Sequence, residues 1–256
     1  MRNQLSVCKN VGILWLVCIA SFTTGAQSSD SAVSILYQNQ KAAWKKAMTI
    51  PVTLITAGLI AITDNDILDR LQIYEARNKL IPSFHTNVDD YLQHAPIVAV
   101  YALNGLGIKG EHDFANRTAL LIKSEIFMAA MVFPLKKITS VPRPDTGTQN
   151  SFPSGHTAQA FAAATFLHKE YGREHPFYSI MAYTTAAGVG VLRVMNNRHW
   201  ASDVLVGAGI GVLATNLAYL THQNKWGKNH KKLSGMIVTP TYGQQSLGVY
   251  LLIPIH

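Results

Sequence analysis

Apolar residues run through this chain in long blocks, separated by shorter polar or charged connections. After a polar lead-in from Ser28 to Gln40, helical by its end, six blocks have the length and spacing of helices. They are Ala47–Thr63, Ala95–Ile108, Arg117–Lys137, Thr157–Tyr171, Phe177–Asn196 and Ser202–His222. A long connection, Asp64 to His94, parts the first from the second. Its Asp64, Asp66, Asp69, Asp89 and Asp90 mark it as solvated, and Pro82-Ser83 and Asn87 predict turns within it. Its Phe84, His85 and Tyr91 read as anchors of the loop rather than as a lid. Small residues crowd the later helices, and Gly207 and Gly211 form a G-x-x-x-G spacing, read as ordinary close packing. The period changes in the tail. Met236–Thr241 and Ser246–Ile255 flank Tyr242-Gly243-Gln244-Gln245 and predict a β-hairpin within 233–256. A lone hairpin is marginal, so it is expected to dock on the helices. The pattern as a whole predicts an all-α fold, a bundle of about six core helices with a short C-terminal β-hairpin, as one domain over 27–256.

Ahead of that domain, residues 1–26 read as a signal peptide. Arg2 and Lys9 supply positive charge, Val11 to Phe22 is apolar, and Thr24-Gly25-Ala26 offers small residues for cleavage after Ala26. Both cysteines, Cys8 and Cys18, lie in this segment, so the mature chain is expected to have neither disulfides nor thiolate chemistry. Charged residues are only 14% of the chain and hydrophobic ones 48%. A soluble domain carries roughly 25% charge, so the chain suits a membrane-embedded or buried-helix-rich protein. Its net charge of +8 fits anionic lipid, a phosphorylated substrate or nucleic acid. The lysines are dispersed and no stretch reads as a nucleic-acid module, so no nucleic-acid partner is expected. The number of membrane spans stays open. Several blocks fall short of about 20 apolar residues, and the third contains Lys123 and Glu125, which are costly in lipid.

Candidate chemistry gathers in three short clusters: Lys136 to Pro144, Pro153 to His156, and Arg193 to Asp203. His199 and Asp203 are four apart, on one helical face if the helix has begun by His199, and a carboxylate beside an imidazole fixes its tautomer and leaves the other nitrogen as nucleophile or base. Taken alone, that pair is as readily a structural cap. Ser154-Gly155-His156 stands at a helix start, where backbone N–H groups suit phosphate oxygens and His156 can protonate a leaving oxygen. Lys136 and Arg143 are helix-end cations. Arg193 lies in an apolar stretch, where a charge needs a partner. Together, three cations, two histidines, an aspartate and a helix terminus suffice for phosphoryl transfer without a metal. His156, His199 and Asp203 are possible metal ligands, but the three cations favour an anion instead, so neither metal nor cofactor is expected.

These clusters resemble the signature of the type 2 phosphatidic acid phosphatase superfamily, K-x6-R-P, P-S-G-H and S-R-x5-H-x3-D, with Leu192 standing where the family has serine. The resemblance implies a phosphohistidine enzyme. His199 is then the nucleophile, Asp203 its orienting carboxylate and His156 the general acid. Lys136, Arg143, Ser154, Gly155 and Arg193 bind phosphate. It also implies a phosphorylated membrane lipid as substrate, lipid A phosphate first, with undecaprenyl pyrophosphate, phosphatidic acid and phosphatidylglycerol phosphate as alternatives. The setting it implies is the bacterial cell envelope, with a periplasmic-facing site on an inner-membrane-associated or periplasmic protein. Two other readings remain open here: a soluble periplasmic acid phosphatase for small phosphomonoesters, and a non-catalytic phosphate- or lipid-binding membrane protein.

Overall fold

The computed structural model describes residues 31–63 and 69–223, with side chains from residue 38 onward, and the backbone of two strands at 237–243 and 246–252. The signal segment lies outside the described residues. The helices are α1 (Ser31–Ile60), α2 (Arg70–Leu80), α3 (Val88–Leu92), α4 (Ala95–Gly105), α5 (Phe114–Thr139), α6 (Gly155–Tyr171), α7 (Pro176–Met195) and α8 (Ala201–Leu220). Strands β1 (Ile237–Gly243) and β2 (Ser246–Leu252) pair antiparallel, from Ile237 opposite Leu252 to Gly243 opposite Ser246. The expected all-α bundle with a C-terminal hairpin is therefore observed. Docking of the hairpin through its side chains lies outside the described residues.

Local chemistry sets the helix starts. Asp69 caps α2 by accepting from the Leu71 N–H, and Asp113 caps α5 by accepting from Ala115 and Asn116. Ser154 caps α6 through the Thr157 N–H. Pro96 and Pro176 sit in the first turns of α4 and α7, where a missing N–H is harmless. α1 begins well before the predicted Ala47. Its exposed polar half, Gln38 to Lys46, gives no apolar periodicity to read, yet it continues the helix. The 64–94 connection also departs from expectation, because it carries α2 and α3.

α8 is the central helix, packed against α1, α5 and α6. Its small residues permit this. A side chain at Gly207 would meet the Ser154 carbonyl, and one at Gly211 would strike the Ala158 backbone. A side chain at Gly209 would meet Ile55 and the Pro51 carbonyl of α1. The G-x-x-x-G spacing is thus close packing, as expected, and it has a positional result. It holds the start of α6, with Ser154 and His156, against the start of α8, with Asp203. Val132, Phe152, Ala158, Val206 and Ile210 form the apolar cluster nearest that junction. A larger cluster around Leu120, Phe166, Tyr171 and Val189 fills the middle and far half. At the far end buried Glu170 binds Arg117 Nε at 3.0 Å, His112 Nδ1 at 2.8 Å and the Tyr219 hydroxyl at 2.6 Å, tying α5, α6 and α8 together.

Candidate active site

All three clusters meet at one end of the bundle: the end of α5, the 140–154 connection, the start of α6, the end of α7 and the turn into α8. Two contacts clamp that turn to the connection. Trp200 Nε1 donates to the Pro142 carbonyl at 2.9 Å, and Arg198 pairs with Asp145 at 3.2 Å.

His199 is 2% exposed and Asp203 is fully buried. Asp203 is the third residue of α8. Its Oδ2 accepts from the Trp200 N–H at 3.1 Å, half of a capping box, which fixes the carboxylate. That oxygen lies 3.5 Å from His199 Nδ1, long for a direct hydrogen bond. Ser151 closes the gap. Its hydroxyl donates to Asp203 Oδ2 at 2.5 Å and stands 3.3 Å from His199 Nδ1. Burial, only partly offset by Asp203, lowers the His199 pKa to about 4. The ring is therefore neutral near pH 7, and with Nδ1 turned to the carboxylate, Nε2 keeps its lone pair.

The cations converge on that ring. Lys136 and Arg143 are close enough to act on the charge of His199. Lys136 Nζ donates to the Asn150 carbonyl at 2.7 Å, and Arg143 Nε to the Asn150 side chain at 2.7 Å. Burial first, then the Arg193 guanidinium, lower the Arg143 pKa. Each cation makes the next less comfortable, which is the electrostatic condition for holding an anion. Arg193, 6% exposed, gives NH1 to Asp89 at 2.7 Å, while its Nε is buried without a partner. A buried N–H of this kind lacks only an acceptor.

The start of α6 completes the cradle. The Ser154 hydroxyl is buried and capped onto Thr157, so it serves the helix terminus directly. A side chain at Gly155 would lie 3.8 Å from the Lys136 stem, so glycine keeps that space open. His156 Nε2 contacts Asp90 Oδ1 at 2.8 Å. Burial, then Arg193, lower the His156 pKa, against the pull of Asp90 and Asp89.

All eight sequence-predicted residues thus lie at this one end. Three that matter were missed. The sequence pattern marks Asp89 and Asp90 as solvated, but Asp89 is fully buried in its pair with Arg193, and Asp90 faces His156. Ser151 carries no motif of its own. The one available signal was the unpaired charge of Arg193 in an apolar stretch, which demands an acid somewhere in the chain. Of the loop aromatics, Tyr91 is 79% exposed, at odds with the expected anchoring role.

The chain is 38% identical over 194 residues to a lipid A 1-phosphatase of Porphyromonas gingivalis, a match covering 73% of this chain and 42% of that one. The chain therefore spans less than half of that relative's length. Among solved structures, Aquifex aeolicus LpxE is 25% identical with a TM-score of 0.45, over 62% of this chain and 98% of that one. A PAP2-type phosphatidylglycerolphosphate phosphatase from Bacillus subtilis is 21% identical with a TM-score of 0.49, over 68% and 94%. The PAP2 superfamily pattern matches residues 118–227, a range that contains all eight site residues. Residues 118–227 of this chain form a PAP2 superfamily domain.

Proposed function

We propose that this protein is a metal-independent phosphatase acting on a phosphorylated membrane lipid, through a phosphohistidine at His199. The observation that carries the proposal is the neutral, buried His199 facing a cationic cradle in which Arg193 Nε has no partner. In the first step His199 Nε2 attacks phosphorus, the P–O bond to the lipid breaks, and His156 gives its proton to the leaving oxygen. Asp203, through Ser151, stabilises the positive ring. In the second step water attacks phosphorus, the P–N bond breaks, and His156 takes the water's proton, which restores the enzyme. Lys136, Arg143 and Arg193 stabilise the phosphoryl oxygens, with Gly155 and the Ser154-capped helix start beside them. The donor set suits an anion better than a divalent metal, because three cations surround its two histidines.

The molecular surface supports a lipid substrate. α5 and α8 are each long and apolar enough to cross a membrane. α8 is mostly buried in the bundle, but α5 is mostly open, with Ile122, Ile126, Phe133 and Ile138 each more than half exposed. On α7, Phe177, Ile180, Met181 and Val191 are likewise at least half exposed. Each such side chain, already partly covered, gains about 1–2 kcal/mol when water is replaced by an apolar surround. Apolar faces of this extent favour a membrane protein over a soluble phosphatase for small esters. The name of the Porphyromonas gingivalis relative favours lipid A phosphate among the candidate lipids. The signal-like residues 1–26 favour a periplasmic-facing site.

The test is phosphate release by the detergent-purified chain in the presence of chelator. Lipid A, undecaprenyl pyrophosphate, phosphatidic acid and an aryl phosphate are compared, with His199→Ala alongside. Chelator-resistant release from lipid A that is lost in the variant is expected. Release only from the aryl ester contradicts the lipid reading, and release by His199→Ala contradicts the nucleophile.

A further inference from the structure

Asp90 stands where a solvated loop acid has no reason to be. It belongs to α3, and three hydrogen bonds pin that segment to the end of α7: Thr86 N–H to the Asn196 side chain at 2.9 Å, Asn196 Nδ2 to the Thr86 carbonyl at 2.8 Å, and Asn196 Nδ2 to Asp89 at 3.1 Å. Arg77 reinforces the strap by donating to the carbonyls of Met195, Pro82 and Phe84. Buried Asp89 then locks onto Arg193. The next residue is thereby delivered to the site, with Asp90 Oδ1 2.8 Å from His156 Nε2 and 3.5 Å from Arg193 NH1.

We propose that Asp90 is the positioning carboxylate of His156. It accepts the Nε2 proton, fixes the ring's tautomer and leaves Nδ1 to exchange a proton with the leaving group. This rests on the role given to His156 above. The site then holds two histidine–carboxylate pairs: His199–Asp203, buried and tuned for attack, and His156–Asp90, at the mouth and tuned for proton transfer. The charges facing His156 make such a partner necessary. Burial and then Arg193 on α7 oppose an imidazolium, and among the described residues Asp90 and Asp89 on α3 favour it. Asp89 is engaged by Arg193 at 2.7 Å, whereas Asp90 lies 3.5 Å from Arg193 and 2.8 Å from His156, so Asp90 is the acid that serves the ring. A general acid must hold its proton when substrate arrives, and the carboxylate favours that protonated ring.

The experiment uses the full chain in detergent, with lipid A as probe, and measures kcat and KM across pH for wild type, Asp90→Asn and Asp90→Glu. We expect Asp90→Asn to lower kcat about tenfold near neutrality. Its alkaline limb should move to lower pH, with KM little changed, and Asp90→Glu should recover most of the rate. A loss confined to KM, or an unmoved limb, overturns the proposal. NMR titration of the His156 ring reads the pair without turnover. The ring should titrate at lower pH in Asp90→Asn, and an unchanged titration overturns the proposal even in a chain that releases no phosphate. Absence of release by wild type bears on the hydrolase reading alone.

Discussion

Arg193 is a buried charge that gives NH1 to Asp89 and keeps Nε without a partner, so removing Asp89 should lower stability and at the same time raise the benefit of a bound anion. In wild type, NH1 meets Asp89 at 2.7 Å with both side chains almost fully buried. At an effective dielectric of about 20 that contact corresponds to roughly 6 kcal/mol of attraction. The second acid, Asp90, lies at 3.5 Å and is about half exposed, so near-bulk screening leaves it about 1 kcal/mol. Asp90 therefore cannot replace Asp89. Asp89→Asn keeps the shape and the Asn196 contact but leaves a buried cation short of its counter-charge, which costs about 3–5 kcal/mol. At roughly 2–4 °C per kcal/mol for a chain of this size, the lower end of that cost moves the melting midpoint down by about 6–12 °C. Added inorganic phosphate supplies the missing negative charge. It should raise the midpoint of Asp89→Asn more than that of wild type, since binding to the folded state stabilises by mass action. The assay is thermal unfolding in detergent with and without phosphate. A variant that melts like wild type, or one that phosphate does not rescue, refutes the view that Asp89 neutralises Arg193 in an otherwise cationic cradle.

Other outcomes follow from the same geometry. Ser151→Ala removes the hydroxyl bridging His199 and Asp203, and a hydrogen bond to a charged group contributes about 1.5–3 kcal/mol, so kcat should fall about 10- to 150-fold with KM unchanged in steady-state assays. Gly155→Ala meets only ordinary contacts within the fold, so it should melt like wild type while losing phosphate affinity, as calorimetry with inorganic phosphate would read. Gly211→Ala drives a methyl into the Ala158 backbone and should destabilise the bundle by about 1–3 kcal/mol or more in thermal unfolding. The pH–rate profile should be acid-shifted. His199 must be neutral to attack, so activity is lost as pH falls toward about 4. His156 must be protonated to donate, so activity is lost as pH rises through its lowered pKa. An optimum above pH 8 contradicts the assignment of His156, and full activity well below pH 4 contradicts that of His199.

Much of this site was legible in the sequence because its groups sit at helix ends, close to one another along the chain. His199 lies just ahead of the Trp200 cap of α8 rather than on the helix face the spacing suggests, yet only four residues from Asp203 in its first turn, and Ser154, Gly155 and His156 open α6. Six apolar blocks became six helices for the same reason: their pattern is local. What escaped is non-local. Asp89 reaches Arg193 across 104 residues, Asp90 reaches His156 across 66, and Ser151 reaches Asp203 across 52. An aspartate in a polar connection looks the same whether water or a buried guanidinium receives it. The difference lies in α2 and α3, short helices with little apolar periodicity that hold their place by polar contacts to the end of α7. The roles of Gly207 and Gly211 were legible as packing, but which backbone they admit, and hence how they bring His156 and His199 to one site, needed the fold.

The most direct test of the account is to trap the intermediate. Wild-type protein is mixed with lipid A, quenched in alkali, which preserves phosphohistidine, and digested for mass spectrometry. The account predicts a phosphoryl group on the peptide carrying His199, absent in His199→Ala and accumulating in His156→Ala with an aryl phosphate, whose leaving group needs no acid. Phosphate release by wild type with no adduct at His199 under any of these conditions would contradict it.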